Sequence, residues 1–107
     1  MTQPAVDSSH GTLVASTVTT VNLDAGAGNI LESIEVVNVD GNDEIYFVVN
    51  DAANPPSDPT VAVADSRVVP AVRGQSYLFV PGGTMRKATV KLISAGTPAY
   101  SVVGEKR

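Results

Sequence analysis

An all-β fold, an antiparallel sandwich of seven or eight strands, follows from three features of the sequence. Val and Thr are abundant while Leu is scarce and Trp absent, helix-forming residues never gather over twelve positions with a 3.6 period, and nine Gly and seven Pro divide the chain into short pieces. The 107 residues suffice for one domain that buries roughly two-thirds of the surface its unfolded chain exposes. With no cysteine, the core holds together without disulfides or thiolate-bound zinc.

Residues 1 to 11 are polar, carry Pro4 and Gly11 and have no periodicity, which predicts an arm that stays disordered or extended until something holds it. Its start lacks the basic residues and apolar run of a signal peptide, and no segment reaches the length of a membrane span, so a protein made and kept in solution is expected. The domain proper is placed at residues 12 to 104, with a charged tail at 105 to 107. Thr12 to Leu23 is a β-branched run with Leu13, Val21 and Leu23 on one face and Val14 and Val18 on the other. A bulge or a crossing between sheets near Ser16 to Thr19 reconciles its halves. Asp24 to Asn29 reads as a connection, because its Gly-X-Gly is not followed by the helix or the Lys-Ser/Thr pair of a phosphate loop.

Ser33 to Asn50 is the centre of the chain. Its two arms are rich in Val, Ile, Tyr and Phe around Asp40-Gly41-Asn42, which predicts a hairpin with Ile34, Val36, Ile45, Phe47 and Val49 on one face. Glu35, Glu44, Tyr46 and Val48 fall on the other. Asp51 to Thr60 then holds three Pro in five residues and is expected to be a loop of fixed, partly polyproline shape, either a plain surface connection or a place where partners dock. Val61 to Val63 and Arg67 to Val69 are short edge pieces, and Gln75 to Val80 is a strand apolar on both faces, so it is either fully covered or shows one face to a partner. Met85 to Ser94 alternates most clearly, with Ala88, Val90 and Leu92 toward the core and Lys87, Thr89 and Lys91 on a basic face that is solvated or meets an acidic partner. Ala99 to Val103 is the last strand.

Chemistry is sparse in this sequence. A lone His10 has no second His, Cys or clustered carboxylate with which to bind metal or activate a nucleophile, and it reads as a solvent-exposed residue. Asp40, Asn42, Asp43 and Glu44 gather oxygen atoms, but without EF-hand spacing; turn chemistry accounts for them. No catalytic, cofactor-binding or metal-binding residue is assigned, and no enzyme activity is expected. The net charge of −4 argues against a sequence-independent grip on nucleic acid.

Several stretches together resemble a known group. Asn38-Val39-Asp40-Gly41 with Glu44-Ile45-Tyr46-Phe47, then Val69-Pro70-Ala71, Val90 to Ser94 and Gly96 to Val102 look like segments of small β-rich virion proteins encoded among the head genes of tailed bacteriophages, particularly those of actinobacteria. The likeness runs from about residue 33 to 103 and departs between Pro59 and Pro70, where a glycine-containing turn is missing. It implies a decoration (cement) protein on the outer capsid surface, made in the host cytoplasm, with the major capsid protein as partner, a homo-oligomer such as a trimer, and no nucleic acid or membrane contact. A neck or tail structural protein, or a carbohydrate-binding sandwich, are the alternatives. Candidate partner contacts are Pro4, Val6 and His10 in the arm, Asn54, Pro55, Pro56, Asp58 and Pro59 in the proline-rich loop, Tyr77 and Phe79 in the doubly apolar strand, and Lys87 and Lys91 on the basic face.

Overall fold

A computed structural model describes residues 5–62 and 66–106 and, of Ala5 and Val6, the backbone alone; the described residues form eight strands and no helix. These are β1 (Ala5–Thr12), β2 (Thr19–Asp24), β3 (Leu31–Asn38), β4 (Ile45–Asp51), β5 (Arg67–Val69), β6 (Ser76–Phe79), β7 (Lys87–Ile93) and β8 (Ala99–Lys106). They pair antiparallel in two four-stranded sheets, ordered β1-β8-β3-β6 and β2-β7-β4-β5. This is the sandwich expected from composition, and the strand order is that of a jelly roll. Every connection but the one from β4 to β5 carries the chain from one sheet to the other.

The expected core is where the alternation placed it. Ile34, Val36, Ile45, Phe47, Ala88, Val90 and Leu92 are wholly buried, joined by Leu13, Val21, Leu23, Leu31, Val69 and Val102. Thr12 to Leu23 does cross between the sheets: β1 ends at Thr12, Leu13 is buried, Ser16 takes a positive φ of 57°, and β2 begins in the other sheet at Thr19.

Three expectations are corrected. The stretch Ser33 to Asn50 is no hairpin, because β3 pairs with β6 and β8 while β4 pairs with β5 and β7. The six residues between them span the gap between two packed sheets, about 10 Å in sandwiches of this kind. Ile34 and Val36 from β3 and Ile45 and Phe47 from β4 do face the core, but from opposite sides. Second, the arm is mostly a strand: from Ala5 the chain runs along β8 in a seven-pair register, with a shift between Ala5 and Asp7. What holds it is the domain's own edge, since an unpaired β8 would otherwise leave a row of backbone donors and acceptors open. Third, Gly104, Glu105 and Lys106 continue β8, so the charged tail is for the most part ladder; Gly104 is buried against Leu31 and Leu23, and Ser33 Oγ donates to Glu105 Oε1 at 2.8 Å. Arg107 lies outside the described residues.

Candidate interaction surface

β5 and β6 end the two sheets on the same side of the sandwich. Register fixes where their side chains point. Pairing of Ile34 with Phe79 and Val36 with Tyr77 turns both rings to the inner side, and pairing of Phe47 with Arg67 and Ile45 with Val69 does the same for Arg67. The sandwich is open at this edge, so these three groups close it. The Tyr77 ring meets the buried Phe47 ring edge-on, centroids 5.3 Å apart at 76°. The Arg67 guanidinium lies over Phe79 at 5.0 Å and Tyr77 at 5.9 Å. A cation thus covers the aromatic mouth of the core.

Leu78, between the two rings in sequence, points outward beside Glu35. It is 54 % exposed, Val80 59 %, Tyr77 37 %, and Val61 and Val72 are exposed as well. Ser76 Oγ donates to Glu35 Oε2 at 3.1 Å, so the outer side of this edge also carries a carboxylate. Among the described residues the ion pairs are Lys87–Asp24 at 3.7 Å and Lys91–Asp58 at 3.0 Å; Arg67 and Arg73 belong to neither. In a chain of net charge −4 this edge thus combines exposed apolar side chains with Arg67 on its inner side and Glu35 on its outer side.

The remaining sequence candidates are scattered. Pro4 and the side chain of Val6 lie outside the described residues. His10 is exposed on β1, the opposite edge of the same sheet, in register with Ser101. Lys87 and Lys91 do share the outer side of β7, but each is neutralised by the chain's own carboxylate, and the expected basic face is not a free cationic row. Thr89 between them is buried and donates to Asn22 Oδ1. Asp58 draws the proline-rich loop onto that side of the sheet, Asn50 Nδ2 donates to the Asn54 carbonyl at 2.8 Å, and Pro59 is buried while Asn54, Pro55 and Asp58 are exposed and Pro56 half-buried. Through these contacts the loop packs onto its own domain.

No known family model and no curated protein matches the chain. Among solved structures, it superposes on PirA with a TM-score of 0.55 and 15 % identity, over 92 % of this chain and 93 % of that one. The fold is similar to that of PirA. At this identity the likeness concerns architecture alone.

Several titratable groups of the described residues bond to backbone amides and to one another. Asp40 Oδ1 accepts from the amides of Asn42 and Ala99, Asp43 Oδ1 from that of Glu44, and Glu44 Oε1 from the Tyr46 hydroxyl at 3.0 Å. An open groove of about 780 Å³ at the end of the second sheet is bordered by Asp24, Asp51, Arg86 and Lys87, in which Asp24 and Lys87 answer each other. Leu78 and Val80 lie in the Gln75 to Val80 strand that the sequence marks as a candidate contact surface, whereas Arg67 is not singled out by the sequence. Arg67 becomes legible only when β5 and β6 meet across the sandwich.

Proposed function

We propose that this protein is a non-enzymatic structural module that works through its exterior, and that its site of action is the outer surface of a bacteriophage capsid, where it decorates and stabilises the major capsid protein shell. The observation that carries the module reading is the β6 edge, an apolar, unpaired strand end beside two arginines that form no ion pair among the described residues. The capsid reading is supported by the resemblance of residues 33 to 103 to phage head proteins. A rigid sandwich is well suited to decorating a shell, because a modest contact per copy is multiplied by repetition and a homo-oligomer adds avidity. Jelly rolls serve as both capsid and sugar-binding domains. A glycan platform needs exposed aromatic faces; here Tyr46 and Tyr100 are buried and Tyr77 is held between Phe47 and Arg67, which favours the structural role.

The test is co-sedimentation of the purified chain with assembled capsid shells, together with copy counting in intact particles by mass spectrometry. Decoration requires hundreds of copies per particle; about six or twelve would instead assign it to the neck or tail. Absence from particles and from the capsid pellet overturns the reading.

A further inference from the structure

A strand that ends a sheet offers alternate N–H and C=O groups to one more strand. The sheet ordered β1-β8-β3-β6 has two such edges, and they differ in kind. On β1 the exposed side chains are polar: Ser8, His10 and Thr12. On β6 they are Ser76, Tyr77 and Leu78, continued by Val80, so the edge is mostly apolar, and the four residues of the strand include no Lys, Pro or bulge; Pro81 comes only after Val80.

A strand laid outside β6 would send alternate side chains to two different sides. On the outer side they meet Leu78 and Val80. On the inner side they meet Arg67, which is exposed, has its guanidinium carbon 5.0 Å from the Phe79 ring centroid and forms no ion pair among the described residues. Arg73, in the turn that leads into β6, supplies a second cation at the end of the strand. Tyr77 and Phe79 limit the freedom of Arg67, so less entropy is lost when a carboxylate binds it.

We propose that the β6 edge receives an extended segment of a partner protein in which acidic and apolar residues alternate: its backbone pairs with β6, its apolar side chains cover Leu78 and Val80, and its carboxylates meet Arg67 and Arg73. This rests on the binding-module reading above and names the chemistry of the partner. Charge complementarity favours an acidic segment, because Arg67, on the inner side where the segment's carboxylates would fall, forms no ion pair among the described residues of a chain of net charge −4, while Glu35 lies on the outer side, where the segment's apolar side chains would fall.

The experiment is a titration of the ¹⁵N-labelled full chain with a capped peptide of alternating Val and Glu, beside peptides of alternating Val and Lys and of Val and Glu N-methylated at every second residue. The Val-Glu peptide should give saturable shift changes centred on Arg67 and Ser76 to Val80, with the other two peptides at least about tenfold weaker. Arg67→Ala and Leu78→Ser, each checked for a native spectrum, should weaken the Val-Glu peptide similarly. Equal binding of the Val-Lys peptide, changes centred on β1, or no saturation by about 2 mM overturns the inference. Its failure and that of the capsid reading are separable: unaltered capsid binding by Arg67→Ala and Leu78→Ser overturns the inference alone, whereas peptide binding at β6 without capsid binding overturns the capsid reading alone.

Discussion

The Asn38 side-chain amide donates to the backbone carbonyl of Asp43 at 2.7 Å, and this bond, made five residues along the chain, bends β3 out of one sheet and β4 into the other. Asn38 is completely buried and fully used. Its Nδ2 also donates to the Pro70 carbonyl at 2.9 Å, and its Oδ1 accepts from the Gly41 amide at 2.9 Å. One amide therefore ties the β3–β4 arch to the segment that follows β5.

Replacing Asn38 by Ala removes all three bonds and leaves a donor and two carbonyls short of partners. A loss of about 2–3 kcal/mol is expected, read as a lower urea midpoint with an unchanged slope. Asn38→Asp should fare little better, since its side chain accepts but does not donate to the two carbonyls. A change below about 0.5 kcal/mol for Asn38→Ala would refute this role for the arch.

Gly41, in the same arch, has φ of +70°, and a Cβ placed on it would sit 2.5 Å from the Arg73 amide nitrogen and 2.8 Å from the Val72 carbonyl carbon. Gly41→Ala thus meets backbone that cannot yield, in addition to a left-handed conformation. Gly74 has φ of +81° with open space around it. Gly74→Ala is expected to cost about 1 kcal/mol and Gly41→Ala clearly more, about 3 kcal/mol or above. Thermal unfolding of the two variants under one buffer decides the order.

The two lysines of β7 should respond differently to truncation. Lys91 is largely covered, its side chain 19 % exposed, and holds Asp58 of the proline-rich loop; Lys87 and Asp24 are both more than half exposed. Lys91→Ala is expected to lower stability by about 0.5–1 kcal/mol and to speed proteolysis within residues 52 to 62, while Lys87→Ala stays within about 0.5 kcal/mol of the parent. Equal protease sensitivity of the two variants would show that Asp58 does not anchor the loop.

Alkaline pH probes Tyr46. Its hydroxyl donates to Glu44, and that bond, then burial, then the negative charges of Glu44 and Asp43, hold its pKa above the usual phenol value. The folded protein keeps this proton to higher pH than the unfolded chain does. The associated stability is complete below the unfolded value, near 10, and is lost as pH rises through the higher folded value. Tyr46→Phe should therefore flatten the fall of the unfolding midpoint above pH 10; the same fall in both proteins would refute the assignment.

Much of the interior was legible in the sequence because burial on a strand leaves a period-two mark. Ala88, Val90 and Leu92, like Ile34 with Val36 and Ile45 with Phe47, carry that mark and are wholly buried. The pairing of strands leaves no comparable mark. Asp40-Gly41-Asn42 has the composition of a hairpin turn, yet Asn38 and the close approach of Gly41 to Arg73 make it an arch. Residues 5 to 12 look like an arm because none of their described side chains joins the core, and backbone hydrogen bonds to β8, which any sequence can make, order them.

From its sequence alone the chain is an all-β, cysteine-free domain with short strands whose inward positions can be named one by one, since alternation and turn residues act over a few neighbours. Tertiary structure alone decides which strand lies beside which, that both lysines of β7 are neutralised from within, and that Arg67 crosses from one sheet to lie on Tyr77 and Phe79 of the other. Those relations join residues distant in sequence, and they exist only once the two sheets have packed and closed off the core between them.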